Sequence, residues 1–170
     1  MPIERRGSSR SMPKWLWPLA LVLLIARIGF TWYESKSPPA REEQVHWRDF
    51  ATGRAEAVAM NKPMLLEFSA AWCGPCKTMS TEVFADRNTA QLIEGATVPV
   101  RITDRQQEDG RNSALVDSLQ KRFKVDGFPT LVIYDPASDR SEQQGGYGGA
   151  RNTRDWIAHS AAQVRWNLKK

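Results

Sequence analysis

The chain has 170 residues, enough for one domain with a proper core and a tail, and carries 24 basic against 19 acidic side chains, a net charge of +5. Five basic residues and one acidic residue fall within positions 1–33, so the remaining 137 residues hold 19 basic and 18 acidic side chains. The basic balance belongs to the N-terminus, and no basic-aromatic stripe marks the rest, which excludes nucleic acid as the partner.

Arg5, Arg6, Arg10 and Lys14 precede an apolar run from Trp15 to Ala26. That run is 12 residues long, short of the roughly 20 that a spanning helix needs. Extended through Arg27 to Tyr33 it reaches 19 residues, with Arg27 placed to snorkel and Trp15, Trp17, Trp32 and Tyr33 suited to the two headgroup belts. The alternative is a cleaved signal peptide, but Arg27-Ile28-Gly29-Phe30 offers no small-residue cleavage site. The sequence thus predicts a basic cytoplasmic N-terminus over 1–14, a transmembrane signal-anchor over 15–33, a linker over 34–42 stiffened by Pro38 and Pro39, and a domain over 43–170. Positive charge ahead of the span stays in the cytoplasm, which puts the domain outside the inner membrane, in the periplasm of a Gram-negative cell.

Within the domain, Val45 to Trp47 reads as an edge strand. Asp49 to Met60 reads as a helix with Phe50, Ala51, Ala55, Val58 and Ala59 on its apolar face, stopped by Asn61-Lys62-Pro63. Pro63 to Ala71 is a short buried strand. A helix follows Cys76 and breaks around Val83 to Asp86, and a second short helix covers Thr89 to Glu94. Thr97 to Thr103 alternates as a strand, and Asp104 to Asn112 is polar and loop-like. Ser113 is the N-cap of a helix with Leu115, Val116, Leu119 and Phe123 on one face. Pro129 to Tyr134 is a strand, Asp135 to Asp139 a turn, Gln143 to Tyr147 an edge strand, and Thr153 to Leu168 a closing amphipathic helix through Trp156, Ile157, Ala161, Val164 and Leu168. Helices alternating with strands give an α/β sandwich around a central sheet.

Cys73 and Cys76 are the only cysteines, three apart, where the strand ends and the next helix begins. The spacing allows a disulfide across one helical turn or two ligands of a metal site. A bridge that is purely structural would close a longer loop, because so small a ring removes little unfolded-state entropy. Zinc needs two further ligands, and His46 and His159 are distant and lack metal spacing. At a helix N-terminus, unpaired N–H groups and the positive end of the dipole pull the outer thiol below the free value of about 8.5. Cys76, one turn in, is expected to be the less exposed, resolving thiol.

Trp72-Cys73-Gly74-Pro75-Cys76-Lys77 resembles the active-site motif of the thioredoxin superfamily. Glu67, six residues before Cys73, stands where thioredoxins carry a buried acid, and Gly127-Phe128-Pro129-Thr130 resembles the cis-proline loop of that fold. Over roughly 43–168 the chain is similar to the C-terminal thioredoxin-like domain of DsbD-type thiol:disulfide interchange proteins. The resemblance implies a central mixed β-sheet flanked by helices, a redox-active Cys73–Cys76 disulfide, and no cofactor or metal. It implies that Cys73 attacks and Cys76 resolves, that Glu67 serves as their acid–base group, and that Pro129 is cis. Trp72, Gly74, Pro75, Phe128 and Thr130 are implied to meet the substrate. Gly-Pro between the cysteines goes, in this superfamily, with reducing proteins. The expected activity is reduction of disulfide-containing proteins by a membrane-anchored enzyme, as in cytochrome c maturation or disulfide repair. Oxidation or isomerisation, and a copper-binding or chaperone-like module, are the alternatives. With two cysteines, the chain implies a separate membrane protein as electron donor.

Overall fold

A computed structural model of the chain describes residues 15–35 and 42–166. The basic residues ahead of Trp15, the linker prolines and Leu168 lie outside the described residues. Two compact units result, divided after residue 40.

The first unit contains one helix, α1, Leu16–Ser35. Trp17 and every large apolar side chain from Leu19 to Ile25 are exposed. Among the described residues, no helix is long and apolar enough to cross a membrane, so the span expected over 15–33 is present as a helix but not as an apolar length sufficient for crossing. The uninterrupted apolar run stops at Arg27.

In the second unit four strands form one sheet among the described residues, in the order β2-β1-β3-β4. They are β1 (Met64–Ala70), β2 (Val98–Asp104), β3 (Thr130–Asp135) and β4 (Arg140–Gly145). β1 runs parallel to β2 and antiparallel to β3, and β4 is antiparallel to β3. β1 is buried at every position, as befits a central strand covered on both faces. β4 is polar and largely exposed, which suits an edge. Val45 to Trp47 forms no strand. Its segment touches the sheet through a single parallel bridge, Arg48 to Val100.

The helices divide over the two faces. On one, α3 (Gly74–Met79), the π-helical turn Ser80–Phe84, α4 (Arg87–Ala96) and α7 (Ala150–Trp166) bury Met79, Val83, Phe84, Ile93, Ile157 and Val164 against Leu65, Leu131 and Ile133. On the other, α2 (Phe50–Met60) and α6 (Ala114–Arg122) bury Ala57, Leu119 and Phe123 against Leu66, Phe68, Val100 and Val132. The caps are those the residue types favour. Asp49 accepts from the N–H groups of Ala51 and Thr52 (3.0 and 3.0 Å), Asp86 from Thr89 (2.8 Å) and Ser113 from Val116 (3.3 Å). The 104–112 stretch, expected to be a loop, holds a one-turn helix, α5 (Gln106–Asp109).

Two helix faces differ from expectation. In α6, Leu115 is exposed while Leu119 and Phe123 are buried. In α2, Ala51, Ala55, Val58 and Ala59 face solvent, and Gly53 and Ala57 face the sheet. The reason is Gly53. A Cβ there would lie 2.2 Å from Cγ2 of Val100, so the helix approaches β2 through the residue without a side chain. Gly53→Ala is expected to destabilise the domain by about 1–3 kcal/mol from overpacking, outweighing the roughly 1 kcal/mol that alanine adds in helix propensity. Urea unfolding checks it; an unchanged midpoint would mean that Val100 turns aside.

Candidate active site

β1 ends at Ala70, and the chain turns through Ala71-Trp72 into α3. Cys73 N–H donates to the Ala70 carbonyl (3.1 Å), and Cys73 then caps α3 in an extended conformation. Its Sγ accepts the Cys76 backbone N–H at 3.1 Å. Cys73 and Cys76 form a disulfide across the first turn, with Cα atoms 5.3 Å apart. Gly74 and Pro75 are exposed, and Pro75, near the helix start, has no N–H to lose. On reduction the same N–H and the helix terminus stabilise negative charge on the Cys73 sulfur.

The expected order of exposure is not seen. Cys73 is 2% and Cys76 6% exposed, so both sulfurs are covered. Phe128 packs on the cluster of Ala70, Cys73 and Cys76, and Trp72, itself 49% exposed, meets Phe128 edge-on with ring centroids 5.8 Å apart. These two aromatics form a ring pair beside the disulfide.

The Phe128–Pro129 bond is cis, as the resemblance implied. Pro129 is buried and its carbonyl accepts from Gly146 N–H (2.8 Å). Thr130 lies inside the sheet, between Phe68 and Gly145, with its hydroxyl donated to the Gly127 carbonyl (2.7 Å). Of this loop, Phe128 packs on the disulfide cluster, and Thr130 ties the loop together through its bond to Gly127.

Glu67 is buried in β1, beside Arg101 of β2 in register. Its carboxylate accepts from Arg101 Nε. Lys62 donates instead to the Glu94 carbonyl (3.1 Å), and Lys77 is exposed. Glu67 is thus paired with Arg101 and not with either lysine. Arg101 also lies bidentate on Glu43, with Nη1 2.8 Å from Oε2 and Nη2 3.0 Å from Oε1. Glu43 further accepts from Trp47 Nε1 (2.6 Å) and from the Ser80 hydroxyl. The guanidinium stacks 4.3 Å above the Trp47 ring. Burial drives the Glu67 carboxyl above the usual carboxylate range, against the pull of Arg101. Burial opposes ionisation of Glu43 too, but its bonds from Arg101 and Ser80 outweigh this and hold it below that range.

Glu43, Trp47, Ser80 and Arg101 were not foreseen as site residues. Only Arg101 carried a signal, as a charge set between the apolar residues Val98 to Val100 and Ile102. Among the described residues, no cluster of three or more His, Cys, Asp or Glu is arranged to hold a metal.

A redox disulfide capping a helix at the end of a central strand, under a cis-proline loop, defines a thioredoxin-type dithiol site. Residues 46–136 match the family model described as thioredoxin-like, and the chain belongs to that family. It is 40% identical over 91 residues to protein disulfide-isomerase erp38 of Neurospora crassa, covering 54% of this chain and 21% of that protein. It is 32% identical over 103 residues to the thiol:disulfide interchange protein DsbD of Cronobacter sakazakii, covering 57% of this chain and 17% of that one. The chain thus spans about a fifth of the length of these curated relatives. Among solved structures, a DsbH oxidoreductase superposes with a TM-score of 0.59 at 21% identity, over 75% of this chain and 91% of that one. The oxidised C-terminal domain of DsbD from Neisseria meningitidis gives 0.54 at 20% identity, over 65% and 90%. Both show the shared fold.

Proposed function

We propose that the chain is a thiol:disulfide oxidoreductase that reduces protein disulfides outside the cytoplasm, held at a membrane by residues 15–33. The observation that carries the reading is the Cys73–Cys76 disulfide capping α3 with the buried acid Glu67 on the adjoining strand. In the reduced protein, Cys73 thiolate attacks a client disulfide and Cys76 resolves the mixed disulfide. Glu67 takes the Cys76 proton; its pKa, raised by burial, suits a group that both accepts and returns a proton. The reducing direction is supported by Gly74-Pro75 between the cysteines and by the likeness to DsbD. The membrane reading is supported by the exposed apolar side chains of α1 and the basic residues ahead of it. A separate membrane protein supplies the electrons. Cytochrome c maturation and disulfide repair are the processes that such a reductase serves.

The reduction potential of the full chain, equilibrated in dithiol buffers, tests the direction. A value near or below about −230 mV supports a reductase, and one near −120 mV reverses it to an oxidant. Retention of the chain in membranes after an alkaline wash checks the anchor, and release overturns it. Isomerisation is the second reading, favoured by likeness to proteins named protein disulfide-isomerase; an intermediate potential with recovery of scrambled substrates would favour it.

A further inference from the structure

Arg101 brings one positive charge to two carboxylates. Glu43 receives both Nη atoms and two further donors, Trp47 Nε1 and the Ser80 hydroxyl. Glu67 receives only Nε from the same guanidinium. The Glu43 side chain is 21% exposed and that of Glu67 2%. Two buried carboxylates sharing one cation do not both ionise cheaply, and the better-solvated partner with more donors keeps the charge. The charged groups acting on Glu67 are Arg101 from β2 and Glu43 from the 42–48 segment. Its register partner on β3 is Leu131, and the buried side chains of the helices packed over this side of the sheet are uncharged, the polar ones being Thr89, Thr153 and Ser160, with Ser80 half-buried and bonded to Glu43. Ser80 itself lies one helical turn beyond Cys76, so Glu43 is bonded to the helix that carries the resolving cysteine.

We propose that Glu43 is a positioning residue for the exchange reaction: by holding both Nη atoms of Arg101 it limits Glu67 to one N–H of that guanidinium, beside the Ser69 hydroxyl of its own strand, and leaves Glu67 able to take a proton from Cys76 and return it. The proposal rests on the acid–base role of Glu67 given above. In the mixed disulfide, the Cys76 S–H proton passes to the Glu67 carboxylate. Cys76 thiolate then attacks Cys73 Sγ; the Cys73–Cys76 bond forms as the bond from Cys73 to the client sulfur breaks. The client sulfur leaves as a thiolate, and the Glu67 carboxyl gives up its proton to that sulfur when the client thiol is aliphatic and to solvent when it is an acidic aromatic thiol. Two electrons have passed from the dithiol to the client disulfide, and the proton count closes.

The test uses the full chain, reduced, with a chromogenic aromatic disulfide as client. One coloured thiolate is released on attack by Cys73 and a second on resolution by Cys76, so stopped-flow absorbance follows both steps across a pH series. Glu67→Gln should slow the second step by about a hundredfold and erase its inflection. Glu43→Gln gives the whole guanidinium to Glu67 and removes a like charge, so the inflection should persist at lower pH. His46→Ala is the control. It removes the ring bond to Glu94 (2.7 Å) that helps tie down the same segment, touches neither Glu43 nor Arg101, and should leave the inflection in place. A Glu43→Gln inflection at the parent pH, with or without lost stability, makes Glu43 a strap and overturns the proposal alone. An inflection that survives Glu67→Gln overturns both readings. Should Glu43→Gln fail to fold, side-chain carboxyl NMR of the unaltered reduced protein decides. Glu43 should titrate below Glu67, and the reverse order sinks the idea.

Discussion

Cys76→Ser is expected to turn the protein into a trap. Cys73 still attacks a client disulfide, but without the second thiol the mixed disulfide persists, and catalytic turnover falls on the order of a thousandfold or more. Cys73→Ser should lose as much turnover while forming no adduct. The order of the two thiols does not follow from exposure, since both are covered in the oxidised form. It follows from polarity. Cys73 Sγ sits at the helix cap and accepts the Cys76 N–H, whereas Cys76 is one turn inside the helix. A thiolate is therefore stabilised at Cys73 first. Non-reducing electrophoresis and mass spectrometry of each variant, after incubation with a disulfide-bonded protein, check this. Adducts on Cys73→Ser and none on Cys76→Ser would reverse the roles, and adducts on neither would remove the exchange chemistry altogether.

What was legible in the sequence was local. The run Met64 to Ala70, the Cys-Gly-Pro-Cys turn and the Phe128-Pro129 pair each carry their meaning within a few residues, and each sits in the structure where its chemistry requires. The misread parts depend on partners distant in sequence. Apolar spacing placed Ala51, Ala55, Val58 and Ala59 on the inner face of α2, but the closest approach to the sheet is made by Gly53, which no hydrophobic pattern counts. Val45 to Trp47 looked like a strand because its residues favour one, yet its main service is to seat Trp47 beneath Arg101 and bring Glu43 to the same guanidinium. The Glu43–Arg101–Glu67 cluster draws on the 42–48 segment, β2 and β1, with Ser80 added from the π turn. Its geometry depends on the register Glu67 to Arg101, which a parallel pairing sets through a long crossover and which neither strand states alone.

That cluster yields the largest stability effect expected from a single charge. Arg101→Met keeps the length and apolar stem that pack on Trp47, but leaves Glu67 buried with no cation. Breaking a buried pair from one side costs about 3–5 kcal/mol, and near neutral pH the variant should lose stability on that order. The loss should shrink in acid, and the sign is the same for both carboxylates. Glu67 has a raised folded pKa, and losing Arg101 raises it further. Its favourable contribution is complete below the unfolded value of about 4.3 and is lost as pH rises through the folded value, a loss completed at lower pH in the parent and larger in total in the variant. Glu43 has a lowered folded pKa that Arg101 largely sustains; the stability this confers on the parent is present above the unfolded pKa and vanishes as pH falls. Parent and variant therefore converge toward acid. Urea unfolding of both across a pH series measures the gap. A gap independent of pH would mean that Arg101 acts through packing on Trp47 and Phe84 rather than through charge. Adding Glu67→Leu to Arg101→Met should restore most of the loss, because an apolar pair of similar volume leaves no charge to desolvate. If it restores nothing, the cost lies with the orphaned Glu43, and the 42–48 segment rather than β1 is what Arg101 holds in place.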